Sequence, residues 1–162
     1  MPALRHCLPA LAFACLALVP AQARLGDPIA DLKKQFGRPQ PESRGNNVFW
    51  LFEGDNGQLL YTVTLNAEGR SIAEGLKPLK RARFGDNDAL VFIESQLAPW
   101  EGSKTMHTLK AGEKYRFGGK AFTAGKHEHV VLDEANGVLL IWTKAVDPAV
   151  MVVAPEMFLG AK

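Results

Sequence analysis

Apolar residues in the first part of the chain recur at helical spacing and then at strand spacing. Ile29, Leu32 and Phe36 share one helical face, which predicts a helix over 28–36 with Asp27 as its N-cap. Short apolar runs and period-two alternation, bounded by Gly, Asn and Asp, follow this helix. They predict strands over 48–52, 59–65 and 70–76. The pattern therefore predicts one helix followed by three antiparallel strands.

A second helix-then-strands pattern follows the first. Leu90, Ile93 and Leu97 define an apolar stripe that Phe92 widens, so a helix is predicted over 87–98 with Asp86 as its N-cap. Strand-like segments then occur at 114–117, 121–123, 129–132, 138–143 and 150–153. The turn residues between neighbouring segments favour hairpins. We therefore predict an α+β fold, an antiparallel sheet with two helices.

The repeated order also divides the chain into two tandem helix-plus-sheet units, over 24–79 and 84–162. Leu25-Gly26-Asp27 before the first helix is echoed by Phe84-Gly85-Asp86 before the second. The basic stretch Lys77–Arg83 lies between the units. Its four positive charges fall short of an extended patch for nucleic acid or anionic lipid, and we interpret it as a solvated connector. The two units can also form one compact domain.

Residues 1–23 contain the three parts of a secretory signal peptide. Arg5 provides a basic start, 8–19 form an apolar segment, and Ala21-Gln22-Ala23 matches the small-x-small cleavage pattern. We therefore predict a periplasmic or secreted protein whose mature chain begins at Arg24. Attachment of a lipid at Cys15 is disfavoured, because an alanine stands three residues before it where a large aliphatic residue is expected.

Removal of the signal changes what the composition allows. The full chain of 162 residues has 19 Lys and Arg against 17 Asp and Glu, and both of its cysteines lie within the signal. The mature chain of 139 residues therefore has a formal charge of +1 and no cysteine. Thiol catalysis and zinc–thiolate sites are excluded, and the charge gives no basis for nucleic-acid binding. No apolar run in the mature chain approaches the about 20 residues of a membrane-spanning helix.

One group of residues resembles a module of exported bacterial proteins. It comprises Leu25-Gly26-Asp27, a helix ending in Phe36-Gly37-Arg38-Pro39, the segment Trp50-Leu51-Phe52 and the hairpin from Leu60 to Gly69. This order is similar to outer-membrane assembly lipoproteins of the SmpA/OmlA type and to β-lactamase inhibitor proteins built from two such modules. The resemblance implies a helix-plus-sheet fold, no catalytic activity, and another envelope or secreted protein bound on a sheet face. Those lipoproteins carry a lipidated cysteine after the signal, where this chain has Arg24.

Large aromatic residues are the candidates for contact with such a partner. Trp50 and Tyr61 lie on predicted strands, and Trp100 follows the second helix. Most aromatic side chains fill the core of a domain without disulfides. An aromatic residue on a sheet face that the helices leave open would instead anchor a partner, since Trp and Tyr are common interface hot spots. We therefore predict partner binding through Trp50, Tyr61 and Trp100.

Two histidines offer a different function, metal binding. His127 and His129 are two residues apart, which on a strand places both imidazoles on one face. This spacing suits two ligands of Zn²⁺, Cu²⁺ or Ni²⁺, with His107, Glu128 or Asp133 as completing groups. The alternative hypothesis is therefore a metal-binding protein or metal-dependent enzyme that uses His127 and His129.

No catalytic set emerges elsewhere in the sequence. The serines lie outside Gly-x-Ser-x-Gly motifs, and no orienting carboxylate accompanies Ser103 and His107. Phe117-Gly118-Gly119-Lys120 lacks the remainder of a phosphate-binding loop and is better explained as a glycine hairpin. We therefore predict no catalytic residues and no cofactor.

Overall fold

The computed structural model describes residues 24–54, 56–79, 83–100, 102–145 and 147–159, without the side chain of Trp100. The predicted signal, residues 1–23, lies outside them. The helices are α1 (Ile29–Phe36), α2 (Asp86–Leu97) and α3 (Glu156–Leu159), with a 3₁₀ turn at Ala98–Trp100 after α2. The strands are β1 (Asn47–Gly54), β2 (Gly57–Leu65), β3 (Ser71–Pro78), β4 (His107–Leu109), β5 (Lys114–Phe117), β6 (Lys120–Thr123), β7 (Glu128–Asp133), β8 (Val138–Thr143) and β9 (Ala149–Val153).

Seven of these strands form one antiparallel sheet in the order β1-β2-β3-β9-β8-β7-β4, and β5 and β6 pair separately as a hairpin. The predicted α+β class with an antiparallel sheet is confirmed. Two further elements, β4 and α3, have three and four residues, too few to show a periodic signal in the sequence. Strand β4 forms by pairing with the distant β7.

Each face of the sheet packs against a different layer. On one face, here called the helix face, α1 and α2 cover the alternate residues of the strands and form the larger core. On the opposite face, here called the hairpin face, the β5–β6 hairpin and Phe158 of α3 pack over residues from β3, β4, β7, β8 and β9. The side chains of β1 and β2 contribute to the larger core but not to the smaller one.

The sheet joins the two predicted units through their last strands. Strand β3 of 24–79 pairs with β9 of 84–162, so the meander β1-β2-β3 lies beside the meander β7-β8-β9. The larger core contains Leu32 and Trp50 from the first unit together with Phe92 and Trp142 from the second. The two units thus share one hydrophobic core. That they are a sequence repeat stays a prediction.

Both predicted helix caps are wrong by one residue. Pro28 is the N-cap of α1, and the carboxylate of Asp27 accepts a hydrogen bond from the backbone nitrogen of Arg24 instead. Gly85 is the N-cap of α2, and its N–H donates to the Asp88 carboxylate at 3.1 Å. In each case the carboxylate satisfies a backbone donor near the helix start without itself occupying the cap position.

The buried side of α2 agrees with the predicted stripe only in part. Phe92 is buried, and Ile93 and Leu97 are partly buried against the larger core, whereas Leu90 is 45% exposed. Gln96 is buried instead. Its amide bonds to a buried glutamate on the sheet and would lack that partner if this side of the helix were turned outward.

Candidate binding surfaces

Trp50 and Tyr61 lie in the interior of the protein. They are cross-strand partners of β1 and β2, and their side chains are 2% and 4% exposed beneath α1. The ring of Phe36 on α1 packs against both, at centroid distances of 5.7 and 5.2 Å. Because the two residues are cross-strand partners, their side chains point to the same face of the sheet, and that face is the covered one. The side chain of Trp100 lies outside the described residues.

The open part of the sheet carries a different set of apolar side chains. Residues of β1, β2 and β9 that alternate with the core positions point to the hairpin face, where the β5–β6 hairpin does not reach. We call this surface the open sheet patch; it comprises Phe49, Leu51, Leu60 and Met151. Leu51 and Met151 are 36% and 42% exposed, and Phe49 and Leu60 are half-buried.

Strand register places the residues of the open sheet patch on one face. Leu51 is paired with Leu60 across β1 and β2. Two ladder positions away, the next row on this face runs from Phe49 through Thr62 and Gly75 to Met151. Thr62 is polar and Gly75 has no side chain. The patch is therefore a shallow surface with an apolar cluster on β1 and β2 and Met151 two strands beyond it.

The outer edge of β1 is partly covered beside this patch. Phe49 accepts a hydrogen bond from the backbone of Gln40 at 2.8 Å and donates to the hydroxyl of Ser43 at 3.0 Å. Arg44 and Asn47 exchange two backbone bonds at 3.0 Å. These contacts protect the first half of the edge from pairing with another chain. The face of the strand remains open while this half of its edge is closed.

A cleft of about 410 Å³ opens on the helix face. It lies between the end of α1, the tip of the β1–β2 hairpin and one side of α2. Its aromatic lining consists of Phe36, Phe52, Tyr61 and Phe92, which contact one another at ring-centroid distances of 5.2 to 6.2 Å. Its volume lies within the range of about 300–1,000 Å³ that is typical of small-molecule sites.

The charged residues among the described lining of this cleft are all acidic: Glu53, Asp88 and Glu94. Glu53 has the strand parity of Leu51, and its carboxylate accepts a hydrogen bond from its cross-strand partner Gln58 at 3.0 Å on the other face of the sheet. This leaves Asp88 and Glu94 as the acidic side chains of the cleft. Asp88 accepts from the N–H of Gly85, and Glu94 is exposed on α2. The cleft therefore combines aromatic walls with a negative rim.

A buried polar network lies against the wall of this cleft. Tyr61 and Gln96, which both line the cleft, donate hydrogen bonds to the same carboxylate oxygen of Glu74, the amide at 2.7 Å. The other oxygen of Glu74 is buried and has no hydrogen-bond partner among the described residues. The Gln96 carbonyl accepts from the backbone N–H of Leu25 at 3.1 Å. The network thus joins β2, β3, α2 and the start of the described chain.

Burial controls the protonation of this network. It raises the pKa of the Glu74 carboxyl, and the hydrogen bonds from Tyr61 and Gln96 oppose this only in part. Burial, with the neighbouring Glu74, also raises the pKa of the Tyr61 phenol far above its usual range. The tyrosine therefore remains a hydrogen-bond donor at all ordinary pH values.

Two polar residues at core positions of the sequence pattern indicate this network. Glu74 has the same strand parity as Leu76, and Gln96 lies four residues after Phe92 on the helix. A polar residue at a core position of a strand and another at a core position of a helix together indicate a buried pair. Their contact is between residues 22 apart in sequence, so it required the tertiary structure.

The two candidate metal ligands do not share a strand. His127 lies in the turn before β7, and His129 is the second residue of that strand. Both are exposed, and the rings of His129 and Trp142 form a T-shaped pair with a centroid distance of 6.4 Å. Glu128 accepts a hydrogen bond from Gly125 at 2.7 Å. Within the described part of the chain, no group of three or more His, Cys, Asp or Glu side chains could hold a metal ion.

Ser103 bonds directly to a carboxylate, which is not the arrangement of a catalytic triad. Ser103 donates directly to Asp133 at 3.0 Å, and the Nδ1 atom of His107 contacts the carbonyl of Thr105. Thr105 and Asn136 also donate to Asp133, at 2.7 and 2.8 Å. Asp133 is fully buried and ties the 103–105 loop to the β7–β8 turn. Its bonding partners indicate a structural role.

Comparison with known proteins gives no indication of function for these surfaces. No family model, curated protein or solved structure matches this chain. Among the helices of the described residues, none is long and apolar enough to cross a membrane.

Proposed function

We propose that this protein is an exported binding module that holds another envelope or secreted protein on the open sheet patch. The observation that carries the proposal is the apolar cluster of Phe49, Leu51 and Leu60, with Met151 two strands further along, on a sheet face that the β5–β6 hairpin covers elsewhere. A single exposed apolar residue is ordinary, but a contiguous patch in register is typical of interaction sites.

The shape of the patch favours a protein as its occupant. A sheet face offers a broad, shallow contact, whereas small molecules bind in concave sites that enclose most of their surface. Protein interfaces have an apolar centre and a polar rim. Around the patch, Asn47, Gln58, Thr64 and Lys77 supply such a rim. Export through the predicted signal would bring the patch to envelope or secreted partners.

The proposal is tested by charge substitutions on the patch and on the opposite face. The double variant Leu51→Glu/Met151→Glu adds two charges at exposed positions, and Leu90→Glu on α2 is the control. Proteins that the native protein captures from envelope extract are identified, and each purified pair is measured by calorimetry. We expect the double variant to bind about tenfold or more weakly and the control to bind within about twofold of the native protein.

Equal affinity of all three proteins for every purified partner would contradict this surface. If proteins are captured from the extract but none of them binds the native protein again after purification, that result would contradict a protein-binding function. Circular dichroism and unfolding of each variant show whether a loss of binding comes from a loss of folding.

Metal binding through His127 and His129 stays the alternative prediction. It is tested by metal analysis of protein purified without a polyhistidine tag, followed by thermal unfolding with Zn²⁺ or Cu²⁺ added. A stabilisation that is absent in the variant His127→Ala/His129→Ala would favour it. The absence of bound metal and of any thermal shift would refute it.

A further inference from the structure

We propose that the cleft between α1, the β1–β2 hairpin and α2 binds a small organic cation with an apolar body. The cleft lies on the helix face, opposite the open sheet patch, so the inference is independent of the proposed protein-binding function. Its aromatic walls and acidic rim together specify the chemistry of the ligand.

The walls suit the apolar body of such a ligand. Phe36, Phe52, Tyr61 and Phe92 line one continuous cavity with the aliphatic side chains of Leu59, Leu76 and Val91. Aromatic rings attract a nearby cation through the negative potential of their faces, and this attraction increases when water is excluded. The hydrogen bond from Tyr61 to Glu74 fixes one of these rings in place.

The rim suits the positive charge. Asp88 and Glu94 lie on α2 about 1.7 turns apart, and no basic residue is among the described lining. An anion would be repelled by this rim, and a neutral ligand would gain nothing from it. The closest described cation–carboxylate pair near the start of α2, Lys144 with Asp86 at 4.0 Å, does not belong to the cleft lining.

The dimensions favour a small molecule over a protein segment. A volume of about 410 Å³ accommodates a ring with a short cationic chain. The hairpin also closes one end: a Cβ atom on Gly54 would lie 2.7 Å from Leu59 and 3.1 Å from Asp88. The hairpin therefore approaches α2 closely at the point where a longer segment would have to leave the cleft.

Three probes of similar size test the charge preference: 2-phenylethylammonium, 2-phenylethanol and phenylacetate. Each is titrated into the isotopically labelled, exported protein, and binding is followed by NMR chemical shifts. We expect the ammonium to bind about tenfold more tightly than the alcohol, with the anion weakest. The shifted signals should come from α2 and the β1–β2 hairpin. Equal binding of cation and alcohol, or no binding of the cation, would overturn the proposal.

Two lysine substitutions on adjacent exposed residues test the location. Val91 lines the cleft and is 59% exposed, whereas its neighbour Leu90 is 45% exposed and does not line it. Val91→Lys places a competing cation at the rim and should weaken binding of 2-phenylethylammonium about tenfold or more, while Leu90→Lys changes it less than about twofold. Both variants add the same charge to the same helix. Similar affinities of the two variants would overturn the assignment to this cleft.

Substitution of a rim carboxylate provides an independent test of the electrostatic contribution to binding. Glu94→Gln should weaken binding of 2-phenylethylammonium about two- to threefold and leave binding of 2-phenylethanol unchanged, because it removes a screened charge without altering the walls of the cleft. An equal loss for both probes would indicate a change in shape and would contradict an electrostatic role of the rim. None of these variants touches the open sheet patch, so the capture experiment with an envelope partner remains a separate result.

Discussion

Glu74 is a buried carboxyl group whose protonation affects the stability of the fold. Its burial raises the pKa of the carboxyl in the folded protein, while the unfolded chain loses the same proton near pH 4.3, about the usual value for glutamate. Between these two pKa values the folded state holds a proton that the unfolded state has lost. The free energy of unfolding therefore decreases as pH rises through this interval.

We predict that Glu74→Gln removes this pH dependence. The glutamine keeps a carbonyl oxygen that can accept the bonds from Tyr61 and Gln96, but it has no proton to lose. Urea unfolding between pH 5 and pH 8 should show falling stability for the native protein and a flatter profile for the variant. Glu68→Gln, in the exposed turn after β2, is the matched control. A variant with the native slope would contradict the prediction.

Asp133 has the opposite dependence on pH. Burial alone would raise the pKa of its carboxyl, but the hydrogen bonds from Thr105, Asn136 and Ser103 outweigh burial and hold the pKa below its usual range. Its stabilising contribution is therefore complete above about pH 4, the usual pKa of aspartate. This contribution is lost as pH falls through the pKa of the folded state.

We predict that Asp133→Asn lowers the free energy of unfolding at pH 7 by about 1.5–3 kcal/mol, because charge-assisted hydrogen bonds to a buried group are lost. The difference from the native protein should shrink when unfolding is measured at pH 2–3. Glu134→Gln removes a neighbouring exposed charge and should have little effect at either pH. A difference for Asp133→Asn that persists in acid would show that its carboxylate does not carry this stabilisation.

At the scale of elements, two glycines control how the β5–β6 hairpin meets α3. Gly118 and Gly119 form its turn with φ angles of 54° and 79°. A Cβ atom on Gly118 would lie 2.6 Å from the carbonyl oxygen of Pro155 and 3.0 Å from Phe158, whereas one on Gly119 would meet nothing within 4 Å. The glycine hairpin was predicted correctly. Its second role, as the contact with the chain end, depends on residues 37–40 positions away.

We predict that Gly118→Ala destabilises the protein more than Gly119→Ala does. Both substitutions place an L side chain in the left-handed region, which costs about 1–2 kcal/mol. Only Gly118→Ala also collides with the backbone before α3, so its total cost should reach about 2–4 kcal/mol. Chemical unfolding measures both values. Equal losses in the free energy of unfolding would mean that α3 moves away from the added methyl group at no cost in free energy.

The face that α2 buries could not be read from its sequence alone. Of the stripe of Leu90, Ile93 and Leu97, the last two pack against the core as predicted. Leu90 is exposed, however, and the polar Gln96 is buried against Glu74 instead. A periodic pattern counts apolar residues and treats every polar one as exposed. It therefore fails where a polar residue is buried with a partner from another element.

At the scale of the whole molecule, two other residues hold Arg24, the first residue of the predicted mature chain. Its backbone nitrogen lies 2.9 Å from the carboxylate of Asp27, and its carbonyl accepts a bond from Ser71 at 3.2 Å. Cleavage after Ala23 would turn that nitrogen into an ammonium group, which the same carboxylate can accept. The predicted cleavage therefore leaves these contacts intact.

We predict that the protein recovered from the exported fraction starts with Arg24-Leu25-Gly26. N-terminal sequencing and intact mass distinguish this product from the uncleaved chain and from a chain modified at Cys15. Replacement of Ala21 and Ala23 by large residues should block cleavage and retain the protein at the membrane. Recovery of the full 162-residue chain in soluble form would contradict the signal prediction.

Sequence and tertiary structure each determined different features of this protein. Local periodicity and turn residues sufficed for α1, for the long strands and for the antiparallel class, because helix and hairpin patterns depend on residues close together in the chain. Within β1, period-two geometry puts Trp50 on one side of the sheet and Phe49 and Leu51 on the other, and the pairing with β2 adds Tyr61 to the side of Trp50. Both sides contain apolar residues, so alternation alone could not tell which one the helices would cover. Only the packing of α1, α2 and the β5–β6 hairpin decided that Trp50 is buried and Leu51 is open, because coverage depends on contacts between segments far apart in sequence.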